Sequence, residues 1–179
     1  MNLIRHRKAF TFIELVIVIG VIIVLSGILT GVTSGFFIDR AMYNEATRIQ
    51  QDILLIQNLA ITNASGSQYR FEIRFYPSLN KYIIEASEDA NFTTGEGKLI
   101  TRQLGSTIGF PEYFGKSVPD SVLFGTSSVP PSSYIDLSFN NMGVPYQGEG
   151  HINLITGSGR QIQVTVSVIG RVLIGWIQR

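Results

Sequence analysis

The sequence predicts an α+β protein: one long N-terminal helix, membrane-spanning in its first half, packed on a C-terminal antiparallel β-domain. Three observations predict it. An apolar run from Phe10 to Ile38 carries a single ionisable side chain, Glu14. From Met42 to Ala60 apolar residues recur at spacings of three or four, and after Tyr69 the pattern changes to alternation. A length of 179 residues leaves room for one ordinary domain and an appendage.

The run from Phe10 to Ile38 exceeds the ~20 residues that a helix needs to cross a bilayer core. Arg5, Arg7 and Lys8 precede it with no acidic residue beside them. That asymmetry predicts a cytoplasmic N-terminus and export of everything after about Ile38. Those three account for part of the 14 Lys and Arg, so the rest of the chain holds eleven against 13 Asp and Glu. Such a body is not a polybasic nucleic-acid binder. The absence of cysteine excludes a disulfide framework and a thiolate metal site.

Met42, Ala46, Ile49, Ile53, Ile56 and Ala60 mark an amphipathic continuation of the same helix over 39–63, with a stop at Asn63-Ala64-Ser65-Gly66. A helix from Phe10 to Thr62 spans ~80 Å at 1.5 Å per residue. In its apolar half, Gly27, Gly31 and Gly35 form a small-residue ridge suited to close helix approach; ordinary glycine tolerance in a membrane helix explains them equally well.

The exported part, 64–179, reads as β-structure. Tyr69, Phe71, Ile73 and Phe75 alternate with Arg70, Glu72, Arg74 and Tyr76 as in a half-buried strand, and Pro77-Ser78-Leu79-Asn80 turns it into a hairpin with Tyr82 to Ala86. Further strands are expected at Gly97 to Leu104, Tyr134 to Phe139, Ile152 to Ile155, Gln161 to Val168 and Val172 to Ile177, with Gly105 to Ser133 a partly irregular excursion. One helix followed only by strands implies one antiparallel sheet or two packed sheets set against it.

Glu14 needs a reason, because a lone acid at bilayer depth costs ~3 kcal/mol. A cleaved secretory signal cut near Ser26-Gly27 or Gly31-Val32-Thr33 leaves it unexplained, and so does a plain anchor. Lys8-Ala9 followed by Phe10-Thr11-Phe12-Ile13-Glu14-Leu15 resembles the signal of type IV prepilins and type II secretion pseudopilins. The resemblance implies that residues 1–9 are a leader, removed between Ala9 and Phe10 by a membrane-embedded prepilin peptidase that also N-methylates Phe10. It implies further that 10–38 is both the membrane anchor in the bacterial inner membrane and the core of a filament. Ala9 departs from the family's usual glycine, and Phe12 from its commoner leucine or methionine. In such a filament Glu14 would pair with the freed amine of Phe10 on a neighbouring subunit and set the register between them, since a satisfied charge pair offsets much of the desolvation.

The closing segment, Gly159-Arg160 to Gly170-Arg171-Val172-Leu173-Ile174, resembles the final hairpin of H-type minor pseudopilins and FimT-type minor pilins. Two functions follow. In one the chain is a minor structural subunit whose partners are other pilin or pseudopilin subunits. In the other it captures DNA, with Arg160, Arg171 and Arg179 beside Trp176 as the candidate contacts. The near-neutral body favours the structural role. No enzyme activity, metal or cofactor is expected: His6 and His151 are the only histidines. His151 reads as a solvated or edge-strand residue, and Asp89 to Thr93 with Glu85, Glu88 and Glu96 as an ordinary polar loop rather than the calcium loop of some major pseudopilins.

Overall fold

Residue 12 begins one helix, α1 (Phe12–Thr62), in the computed structural model, which describes residues 11–63, 70–87, 97–115, 121–124 and 134–177 apart from the side chains of 28–34, 87 and 98. The chain divides into two compact units, Met1–Asp39 and Arg40–Arg179, and α1 contributes to both. In the second unit Met42, Ala46, Ile49, Ile53 and Ile56 are fully buried, and Ala60 packs against the same core. This stripe is the one that the spacing predicts. Gly66 and the rest of the expected stop lie outside the described residues, beyond Asn63.

Nine strands follow among the described residues: β1 (Arg70–Tyr76), β2 (Lys81–Ser87), β3 (Lys98–Gln103), β4 (Ile108–Gly109), β5 (Val122–Phe124), β6 (Ile135–Ser138), β7 (Gly150–Thr156), β8 (Gln161–Val166) and β9 (Val172–Trp176). They form two sheets, ordered β3-β2-β1-β6 and β4-β7-β8-β9, with β5 also paired to β7. Every pairing is antiparallel. The α+β class and the antiparallel sheets are therefore as expected. The excursion from Gly105 is less irregular than its composition suggests, since it holds β4, β5 and a short 3-10 helix over Pro111–Phe114.

Asn80 joins the two sheets. It closes the β1–β2 hairpin in a left-handed conformation (φ 50°) that asparagine tolerates well. Its buried side chain accepts the Phe110 N–H (3.0 Å) and donates to the carbonyls of Gly105 (3.2 Å) and Ile108 (3.3 Å). A Cβ at Gly109 would fall 2.0 Å from its Oδ1, so glycine is needed there for the approach.

One expectation fails on β1. Its two central polar residues do not face water: Glu72 and Arg74 are buried along with Ile73 and Phe75, and only Arg70 at the start of the strand is exposed. The reason is a buried ion-pair cluster, described below.

Candidate functional site

Glu14 lies in the first turn of α1, and the helix start explains part of its placement. The Thr11 carbonyl accepts from the Leu15 N–H (3.3 Å), which makes Thr11 the residue that caps the helix. Its Oγ1 accepts the Glu14 N–H (3.3 Å), while Glu14 Oε2 accepts from the Thr11 N–H (2.8 Å) and hydroxyl (2.9 Å). This reciprocal arrangement is a capping box, which satisfies two otherwise orphaned donors. The Thr-x-x-Glu spacing is present in the sequence, and Thr11, not among the expected site residues, is the partner of Glu14. Ala9 and Phe10 lie outside the described residues.

The helix around Glu14 is apolar on every side. From Phe12 to Leu25 its large apolar side chains are between 47% and 81% exposed. A helix that is hydrophobic all round is stable only in lipid or among other helices. Among the described residues no helix is long and apolar enough to cross a membrane, but side chains 28–34, inside the run of the sequence, are not among those described.

Two polar clusters hold the second unit. Asp52, buried on α1, accepts from the Tyr82 hydroxyl (2.7 Å) and from Arg102 Nε (3.1 Å) and Nη2 (3.4 Å). Burial, reinforced by the Asp52 hydrogen bond, raises the Tyr82 hydroxyl above the ordinary tyrosine range. In the other cluster Arg74 pairs with Glu72 and with Glu85 (2.7 Å), and its guanidinium lies 4.7 Å from the Tyr134 ring centroid. Asp136, opposite Arg74 in the register, accepts from Gln147 Nε2 (2.7 Å). Two carboxylates thus share one guanidinium, and Asp136 is near enough to repel Glu72.

The Glu72 carboxyl is pushed up to about 7 by burial, against the pull of Arg74 and with repulsion from Asp136 and Glu85. The folded state therefore takes up a proton that the unfolded chain, with an ordinary glutamate near 4.5, does not hold. That contribution to stability is complete below the unfolded value and is lost as the pH rises through the folded one. Between about pH 5 and about pH 8 the wild type should lose roughly 1–3 kcal/mol that Glu72→Gln does not lose. Urea melts of both chains at the two pH values check this; parallel pH dependence in the two chains would refute it.

The candidate cations are dispersed. Arg160 ends the β7–β8 turn and Arg171 ends the β8–β9 turn, at opposite ends of β8. Some seven residues of extended chain separate them, roughly 20 Å or more. Trp176 pairs with Ile162, near the Arg160 end, and Arg179 lies outside the described residues. Strands β1 and β3 are closer than their sequence separation suggests, since both pair with β2. Even so, Arg74 and Arg102 are engaged in the ion pairs above, and Arg70 lies 5.9 Å from the Tyr146 ring centroid.

His151 is not an edge residue. It sits in β7 between Leu123 of β5 and Thr165 of β8, because β7 starts at Gly150 rather than Ile152. With Leu123, Glu149, Gly150 and Thr165 it lines a shallow pocket. Of the loop expected to be an ordinary polar one, residues 88–96 lie outside the described residues, and Glu85 is taken by Arg74. Among the described residues no group of three or more acidic or histidine side chains could hold a metal ion.

The architecture defines an α+β protein with a long apolar-to-amphipathic N-terminal helix and two antiparallel sheets. Similar to it in structure is the minor pseudopilin EpsH from the type 2 secretion system of Vibrio cholerae, at 14% sequence identity and a TM-score of 0.49 over 75% of this chain and 96% of that one. No protein-family model matches the chain, and no curated protein matches it in sequence.

Proposed function

We propose that the chain is a structural subunit, a minor pseudopilin or pilin, of a type II secretion pseudopilus or type IV pilus. One observation carries the reading. The Lys8-Ala9-Phe10 to Glu14-Leu15 signal leads directly into a helix whose apolar side chains are exposed on every side, from Phe12 to Leu25. Such a surface needs lipid before assembly and neighbouring helices after it. The basic leader sets the N-terminus in the cytoplasm and the β-rich unit outside the bacterial inner membrane. Cleavage between Ala9 and Phe10 by prepilin peptidase, with methylation of the new amine, then releases the subunit for assembly.

Glu14 has two tasks in this account. Through Oε2 it caps the helix with Thr11. Its charge attracts the amine of Phe10 on an adjacent subunit, and the pair fixes how far one helix is displaced along the next. Withdrawn from water, that pair is strong only if its remaining hydrogen bonds are met, and the Thr11 hydroxyl supplies one.

The alternative, a FimT-like minor pilin that binds DNA, needs several phosphates neutralised together. With Arg160 and Arg171 at opposite ends of β8 and Arg74 and Arg102 engaged internally, few cations share one face. A duplex-DNA titration at low and near-physiological salt separates the two readings. The structural subunit should bind weakly and lose that binding with added salt. Micromolar binding near physiological salt, abolished by replacing Arg160, Arg171 and Arg179 together, would favour the receptor.

A further inference from the structure

We propose that the outer edge of β9 is a docking site for an extended, acid-bearing segment of a partner protein, which adds to the second sheet as a further strand. The inference is independent of the filament reading.

The first ground is the backbone of β9. The Ser167 N–H donates to the Arg171 carbonyl (2.9 Å) and the Ile177 N–H to the Gln161 carbonyl (3.2 Å). Hydrogen-bonded pairs alternate along an antiparallel ladder, so Leu173 and Gly175 also face β8 with their peptide groups. Val172, Ile174 and Trp176 therefore direct theirs outward. The Val172 carbonyl confirms the phase, since it accepts from Gln50 Nε2 (2.9 Å) on α1. Beyond it, among the described residues, the outward backbone groups of Ile174 and Trp176 have no partner.

The second ground is that the other sheet edges are blunted and this one is not. β4 and β5 are two and three residues long, and β6 is four. β3 begins with Lys98 and pairs with β2 through a register shift at Ile84/Glu85. Short strands, lysines and irregularities are the usual protection of an edge against pairing. β9 has none of these three over its five residues, and α1 reaches it only at the Val172 carbonyl, which leaves the backbone groups of Ile174 and Trp176 open. Instead it presents apolar side chains on both faces, Leu173 (62% exposed) on one and Trp176 (46%) on the other. Strand addition uses such alternation for specificity and the open backbone for affinity.

Charge selects the partner. After Glu149 the sequence has no acidic residue, while Arg160, Arg171 and Arg179 all follow it. Arg171 precedes β9, and Arg160 ends the turn beside its far end, next to the Gln161–Ile177 pair. An incoming strand would pass Arg171 at one end of β9, with Arg160 one strand further in near the other, and the last thirty residues bring no acid of their own. A segment with an apolar centre and Asp or Glu at its ends is complementary to that edge. A second β9 would bring its own arginines, and like charges across a pair are unfavourable.

The test uses the full chain in detergent and a synthetic peptide of about eight residues, alternating valine and threonine with glutamate at each end. Trp176 is the only tryptophan, so its fluorescence reports on β9 alone. The glutamate peptide should change that fluorescence saturably and slow hydrogen exchange at Ile174 and Trp176 by about tenfold or more. A lysine-ended peptide should bind about tenfold more weakly or worse. Ile174→Pro removes an outward N–H that takes no part in pairing with β8, and should weaken binding to a similar degree. Leu173→Glu leaves the backbone intact and repels the acidic peptide, which keeps the test decisive if the proline variant does not fold. Failure of the glutamate peptide to bind overturns the proposal. So do equal binding of the two peptides, binding without slowed exchange at Ile174 and Trp176, and exchange already slowed by self-association of the free chain.

Discussion

A Glu14→Gln chain should keep its first helical turn and yet fail to enter filaments. Glutamine serves in a capping box as glutamate does, so the bonds from the Thr11 N–H and hydroxyl can be retained. What disappears is the negative charge, and with it the attraction that the proposed function assigns to a neighbouring Phe10 amine. In a water-poor filament core the amine would then remain without a counter-charge, a loss of the order of 3–5 kcal/mol per subunit contact. Glu14→Val also loses the carboxylate half of the capping box, at about 1 kcal/mol or less, though the Thr11 hydroxyl still accepts the residue-14 N–H; it removes an acid from the membrane and should insert at least as well. Both variants should be exported and processed normally. Incorporation into filaments sheared from cells, compared with total membrane protein, is the readout. Wild-type incorporation of Glu14→Gln would leave the cap as the whole role of this residue and would end the register-pin account.

Asp52→Ala should destabilise the second unit by about 2–3 kcal/mol, most of it through Tyr82. Tyr82 is fully buried, and its hydroxyl donates to Asp52 Oδ2 at 2.7 Å. Without that acceptor a buried hydroxyl is left unsatisfied, at a cost of about 1–3 kcal/mol. Arg102 adds less, because its side chain is 36% exposed and can turn to water. Asp52→Asn keeps a carbonyl for Tyr82 and should cost less than alanine. Urea denaturation of the three chains gives the order directly. An alanine variant as stable as wild type would mean that the helix and first sheet are not held by this cluster.

How legible these features were depends on where their cause lies. The helix from 12 to 62 and the strands at β1, β2, β3, β6, β7, β8 and β9 follow local periodicities, and so could be read from neighbouring residues alone. β4 and β5 could not. Two or three residues show no period, and Ile108–Gly109 is a strand only because Thr156 and Ile155 lie opposite. Burial of Glu72 and Arg74 was hidden for a related reason. Their neighbours Glu85, Tyr134 and Asp136 come from β2 and from the start of β6 and the residue before it, and alternation of polar with apolar residues ordinarily means a wet face. Nothing in the residues next to Asp52 marks it as buried, since its partners Tyr82 and Arg102 are 30 and 50 residues away. Thr11 was legible in principle, because the Thr-x-x-Glu spacing is local. The arginines could be listed from the sequence, but only the register shows Arg160 and Arg171 at opposite ends of β8.

The central claim, that residues 1–9 are a prepilin leader and Phe10 the start of an assembling subunit, is tested most directly at the N-terminus. Intact-mass and terminal-peptide mass spectrometry should be run on the protein extracted from membranes of cells with active prepilin peptidase. The account predicts a chain that begins at Phe10 and carries one methyl group on its amine. Recovery of the intact Met1 terminus, or of a chain beginning near Val32, would contradict it.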